Sequence, residues 1–177
     1  MQMILLRQDS FQSGLTVFMS KMKKILYIDL DGVVVDLESH AKKRHGENVN
    51  IGAATSFDKK LFFDPPMMEN ALSSIAMLQT YYDIYFLSTA PWNNVHAWTD
   101  KRVWCATNLH KLAYKRLILS HRKDLMIGDF LIDDRTANGA GEFKGEHIHF
   151  GQKPFEDWHE VRKYLMQPEQ YKQITNT

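Results

Sequence analysis

At 177 residues the chain has the length of one compact domain with room for a small insertion, and its 44% hydrophobic, 12% aromatic and 24% charged residues exclude intrinsic disorder. A formal net charge of +1 supplies no global field for a long polyanion, so nucleic acid as a polymer is disfavoured and only local basic patches remain open. Cys105 is the only cysteine, which excludes an intrachain disulfide and a four-cysteine zinc site and predicts a reducing, cytoplasmic setting.

Residues 1–23 carry modest apolar stretches (Met3 to Leu6, Leu15 to Met19) interrupted by Arg7, Gln8 and Asp9. They match neither a transmembrane helix nor a signal peptide. Met19 and Met22 would each serve as a first residue, so this segment is expected to be an extension outside the fold. The domain is expected over 24–167, with a frayed polar tail at 168–177.

Four short apolar runs read as strands: Ile25–Ile28, Ile84–Leu87, Leu131–Ile132 with its flanks, and His147–Phe150. The first three run at once into small, polar or acidic residues, as strands of a parallel sheet do at a binding crevice. Between them, Glu69–Thr80 places Leu72, Ile75, Ala76 and Gln79 at helical spacing, and Asn94–Leu112 is helix-compatible and rich in Trp and Leu. Glu156–Met166, with Trp158, Val161, Tyr164 and Leu165 at three- and four-residue steps, reads as a closing helix. This alternation predicts an α/β fold, a doubly wound three-layer sheet of Rossmann-like type. The stretch from about 36 to 66 is longer than a parallel crossover needs. Basic at Lys42, Lys43 and Arg44, aromatic at Phe57, Phe62 and Phe63, and broken by Pro65-Pro66, it reads as a small helical cap after the first strand.

The strongest chemical signal is Asp29-Leu30-Asp31-Gly32-Val33, two carboxylates two apart at the end of an apolar strand, with Gly32 permitting a sharp turn. Acids this close repel unless a cation neutralises them, and Mg²⁺ is the natural partner. With Mg²⁺ bound, one acid can act as nucleophile and the other as general acid and base. A bare Asp-x-Asp is more often an exposed turn, but Asp133-Asp134 ends a second apolar run and delivers further acids to the same sheet edge. With Asp29 and the backbone carbonyl of Asp31, one of these two would complete the metal site; spacing does not say which. Ser88 and Thr89 end the second strand, where a hydroxyl and backbone amides can hold phosphate. Lys123 could offset the charge of phosphate and carboxylates, although a lone lysine is usually a solvated surface group.

These segments, in this order, resemble the four motifs of the haloacid dehalogenase (HAD) superfamily. Within it, Phe86-Leu87-Ser88-Thr89-Ala90-Pro91, Leu131-Ile132-Asp133-Asp134-Arg135 and Leu61-Phe62-Phe63 before Pro65-Pro66 are similar to the 5′(3′)-deoxyribonucleotidases, the cytosolic type C 5′ nucleotidases, over about 24–158. The resemblance implies a Mg²⁺-dependent phosphatase with Asp29 as nucleophile and Asp31 as general acid and base. Thr89 and Lys123 would bind phosphate, with Ser88 beside them, and Asp134 would be the side-chain metal ligand with Asp133 close by. It further implies a nucleoside or deoxynucleoside monophosphate as the small-molecule substrate, its base held against cap aromatics such as Phe62 or Phe63. Ala90 stands where animal members carry a second hydroxyl. Three rivals remain: a phosphatase of another small metabolite, a non-catalytic HAD-fold binding protein, and a phosphatase of nucleic-acid ends, the last disfavoured by the charge. A homodimer is compatible with the sequence and not required by it.

Other features point to structure. His147 and His149 share a strand face but lack a third zinc ligand nearby in sequence. Trp92, Trp98 and Trp104 recur at six-residue steps that no single helix face repeats, so they divide between core and site edge. Gly139, Gly141 and Gly145 lack the strand-then-helix context of a phosphate loop, and Lys42-Lys43-Arg44 reads as a solvated face that could attract an anion.

Overall fold

The computed structural model describes residues 23–167; the N-terminal segment and C-terminal tail lie outside these residues. Five parallel strands form one sheet: β1 Lys24–Ile28, β2 Tyr82–Ser88, β3 Leu117–Leu119, β4 Phe130–Asp133 and β5 Glu146–His149, in the order β3-β2-β1-β4-β5. The α/β expectation holds. The edge strand β3 is an element that the hydrophobic pattern did not reveal.

Strand periodicity divides the core. Leu26, Ile28, Ile84, Phe86, Phe130 and Ile132 face the larger cluster. Tyr27, Leu87 and Leu131 face the smaller one, which Ala140 and Phe143 close. Helices α3 (Ala71–Leu78), α4 (Val95–Asn108) and α5 (Trp158–Met166) pack on the first face through Ile75, Leu78, Trp104, Trp158 and Leu165. Among the described residues the far layer contains no α-helix; residues of the loops around Met126 and 134–145 form it. One layer is thick and one thin, which follows from right-handed crossovers whose β3-to-β4 and β4-to-β5 connections are short.

The chain between β1 and α3 carries the inserted pair α1 (Leu37–His45) and α2 (Ile51–Phe57). Asp36 caps α1 by accepting from the Ser39 amide at 3.0 Å, and Asn50 caps α2 through the Ala53 amide at 2.9 Å. A short antiparallel stem joins the ends of the insertion: the Asp36 amide donates to the Pro66 carbonyl at 2.9 Å and the Met68 amide to Val34 at 2.8 Å. Asp58 gathers the interior, accepting from Arg44 Nε and Nη2 at 2.7 and 3.0 Å, from the Lys60 amide at 2.9 Å, and pairing with His45 Nε2 at 2.8 Å. Three further bonds fasten the insertion to α4. Asn94 Nδ2 donates to the carbonyls of Thr55 and Asp58, each at 3.0 Å, and Trp104 Nε1 donates to Pro65 at 2.8 Å.

Strand order reverses at β1: successive connections step toward β3, and β4 then returns to the other side. Ligands of open α/β sheets bind at such a switch point, beyond the carboxyl ends of the strands. Asp29 follows β1 there, and Asp133 ends β4.

Candidate active site

The turn after β1 is wound tightly around one carbonyl: Leu30 O accepts from Val33, Val34 and Val35 at 3.2, 2.8 and 2.8 Å. Gly32 takes φ +77°, and a Cβ there would collide with the Asp134 carboxylate, so the first acidic turn and the β4 loop meet only because this residue has no side chain. Trp158 Nε1 donates to Val33 O at 2.8 Å, pinning the turn from α5.

This packing gathers four charged groups. Carboxylate oxygens of Asp29, Asp133 and Asp134 lie within 4.8 Å of one another. Lys123, only 2% exposed, enters from a short 3₁₀ turn and places Nζ 3.1 Å from Asp29 Oδ1 and 2.5 Å from Asp133 Oδ2. That turn is held from behind: the Lys123 amide donates to Asn138 O at 2.8 Å, and a side chain at Gly139 (φ +83°) would strike Asp124. The glycine loop set aside from phosphate binding thus braces the turn that carries the lysine.

The electrostatics follow. Burial, and then the charge of Asp29, pushes Asp133 up to about 7 and Asp134 up to about 6. Burial works against the Lys123 ammonium, but Asp29 and Asp133 outweigh it and raise its pKa. Asp133 is fully engaged, with Oδ2 on Lys123 and Oδ1 accepting from the Arg135 amide at 3.0 Å. Asp134 differs: its Oδ1 is buried without a hydrogen-bond partner. Such an orphaned oxygen beside two other carboxylates is the donor set a hard divalent cation requires, so the residues fit Mg²⁺. His147 and His149 stack at 5.4 Å, their Nε2 atoms against the carbonyls of Asp133 (3.3 Å) and Asp134 (2.9 Å). They buttress the acidic loop.

The remaining expected residues distribute around a pocket of about 320 Å³ lined by Asp29, Asp31, Thr89, Lys123 and Asp133. Thr89 borders it, with its hydroxyl donating to Ser120 O at 2.7 Å. Ser88 is buried and turns away to meet Lys101 Nζ at 3.1 Å. Phe62 and Phe63 do not line this pocket: Phe62 is buried with Lys101 Nζ 4.8 Å from its ring centre, and Phe63 is exposed. The aromatic rim comes from Trp92, 78% exposed, and His121, their rings 6.1 Å apart. Trp92 is a site-edge residue and Trp104 a core residue. Sequence reasoning missed His121 and Lys101. The one signal that could have found Lys101 is its helical register with Ala97, Trp104 and Cys105, which the structure buries on one stripe of α4. A larger groove of about 990 Å³ runs beside β3, and among the described residues no carboxylate lines it.

A parallel sheet with acids and a buried lysine converging at its switch point is a fold shared with HAD-type proteins of known structure. A magnesium-bound crystal structure of YfnB from Bacillus subtilis, provisionally named a HAD-hydrolase, superposes with a TM-score of 0.54 at 12% identity, covering 82% of this chain and 99% of that one. A HAD-like hydrolase of Streptococcus pneumoniae gives 0.48 at 11% identity, covering 80% and 90%. The family model described as 5′ nucleotidase, deoxy (Pyrimidine), cytosolic type C protein matches residues 52–167, a span that begins after Asp29 and Asp31. A protein of Vibrio phage KVP40, provisionally named a 5′(3′)-deoxyribonucleotidase, is 46% identical over 149 residues, covering 81% of this chain and 85% of its own length. The chain belongs to this cytosolic type C 5′ nucleotidase family, a family of hydrolases acting on phosphomonoester bonds. Among the described residues, no helix is long and apolar enough to cross a membrane.

Proposed function

We propose that the chain dephosphorylates nucleoside or deoxynucleoside monophosphates through a phosphoaspartate on Asp29, with Mg²⁺ as cofactor. The observation that carries this reading is the convergence of Asp29, Asp133 and Asp134 within 4.8 Å, with the buried Lys123 ammonium 3.1 Å from Asp29. Asp29, Asp134 and the backbone carbonyl of Asp31 would hold the ion, which when bound neutralises the carboxylates and polarises the phosphoryl oxygens.

The chain's own residues supply the rest. A carboxylate oxygen of Asp29 attacks phosphorus in line while the bond to the ester oxygen breaks and Asp31 gives that oxygen its proton. Asp31 then takes a proton from water, the water oxygen attacks phosphorus, and the acyl-phosphate bond breaks to restore Asp29 and release orthophosphate. Lys123 faces the transferring group with fixed positive charge, and Thr89 borders the phosphate space. Asp133 anchors Lys123 and is not itself the metal ligand in this reading. The apolar faces of Trp92 and His121 at the rim suit a nucleobase, a role first expected of Phe62 and Phe63.

The test is phosphate release from a panel of nucleoside monophosphates and sugar phosphates, with Mg²⁺ and with chelator. Metal-dependent release from nucleotides, lost in Asp29→Asn with the fold retained, is expected. Release from sugar phosphates alone would keep the chemistry and discard the nucleotide, and near-normal activity of Asp29→Asn would remove the nucleophile.

A further inference from the structure

Helix α4 carries a second buried ammonium that the mechanism above does not use. Lys101 is 2% exposed and occupies the inward stripe of the helix, beside Phe62 and one turn from Trp104. Its Nζ donates to Asp31 Oδ2 and, at 3.1 Å, to Ser88 Oγ. A charge in such surroundings is unfavourable unless it is paired, and a methionine of similar length would fill the same space without it. Filling volume therefore does not account for a lysine here; its partner does.

That partner stands at the edge of the pocket. Asp31 keeps 18% of its side chain exposed and lines the space beside Asp29. A carboxylate has two oxygens, and Lys101 occupies Oδ2, leaving Oδ1 as the one available to the pocket. Ser88 and the Phe62 ring restrain the lysine in turn, so the grip on Asp31 comes from a group with little freedom to move. Each acid of the first turn then has its own ammonium from a separate element: Asp29 has Lys123 from the 3₁₀ turn, and Asp31 has Lys101 from α4.

We propose that Lys101 is a positioning residue for Asp31, fixing the carboxylate by one oxygen so that the other is presented to the leaving-group oxygen. The inference rests on the reading of Asp31 as general acid, and it assigns Lys101 no contact with substrate.

The experiment compares two leaving groups in the first turnover under Mg²⁺: nucleoside release from a deoxynucleoside monophosphate, which needs a proton, and 4-nitrophenolate release from 4-nitrophenyl phosphate, which does not. Lys101→Met is expected to slow nucleoside release by about 10- to 100-fold, within the range of general-acid effects, and to leave 4-nitrophenolate release within about twofold. In an Asp31→Asn background Lys101→Met is expected to cause no further loss. Where Lys101→Met fails to fold, Lys101→Gln is judged by the same ratio. Equal losses with both substrates, or a full additional loss on top of Asp31→Asn, would overturn the inference in favour of a packing role. Asp31→Asn slowing both leaving groups equally would remove the general-acid reading itself, a failure seen without touching Lys101.

Discussion

Asp133 and Asp134 are adjacent in sequence and opposite in circumstance. The first spends both oxygens on Lys123 and the Arg135 amide, while the second keeps Oδ1 buried and unpartnered. Asp134→Asn is therefore expected to raise the Mg²⁺ concentration needed for half-maximal activity by about tenfold or more, and Asp133→Asn to lower kcat chiefly, by loosening Lys123. Mg²⁺ titrations of both variants check this, and the reverse pattern would exchange the two roles. Spacing could not divide the pair, because alternate strand residues share a face but the partners that distinguish them come from 123 and 135. Lys101 was hidden for a related reason: within Thr99-Asp100-Lys101-Arg102 it reads as one of several surface charges. Only its register with Ala97, Trp104 and Cys105 turns it inward.

Among the elements, those with strong periodicity were legible. The closing helix, expected over Glu156–Met166, begins at Trp158 because Asp157 caps it, accepting from the amides of His159 and Glu160 at 2.8 and 3.0 Å. Strand β3 was not legible: Leu117-Ile118-Leu119 is an apolar run of only three residues, too short to mark a strand by alternation, and each residue is half-buried at the sheet edge. The inserted pair α1 and α2 depends on a polar centre that no pattern announces, since Asp58 meets Arg44 and His45 from fourteen and thirteen residues away. Burial opposes the charge of Asp58, but Arg44, the Lys60 amide and His45 outweigh it and hold its pKa below the usual carboxylate range. A depressed acid stabilises the fold fully above its unfolded pKa, about 3.9, and loses that contribution as pH falls through the lower folded value. Asp58→Asn is expected to destabilise by about 2 kcal/mol at neutral pH. Below about pH 4 the difference from wild type should shrink, the unfolded acid being protonated there. Denaturation at pH 7 and pH 3 reads both; a difference independent of pH would mean that packing, not charge, is what Asp58 supplies.

For the molecule as a whole, β1 is the axis. It pairs with both β2 and β4, supplies Leu26 and Ile28 to one core cluster and Tyr27 to the other, and ends at the turn that carries Asp29 and Asp31. Amides of Leu26–Ile28 and Ile84–Phe86 should outlast those of α1 and α2 in hydrogen exchange by about tenfold or more; equal protection would show that the insertion opens only when the sheet does. The order of motifs along the chain made this general plan readable, while the thin far layer and the position of the rim aromatics required the third dimension. The attachment of the insertion has one more consequence. Asn94 and Trp104 fasten it through the carbonyls of Thr55, Asp58 and Pro65, and its stem closes through backbone groups of Val34, Asp36, Pro66 and Met68. Peptide carbonyls are common to every amino acid, so this anchorage is blind to lineage drift in the side chains it holds. Side chains of the insertion that line the pocket, Leu37 and Thr55, can therefore be replaced while the same fastening holds the insertion in place.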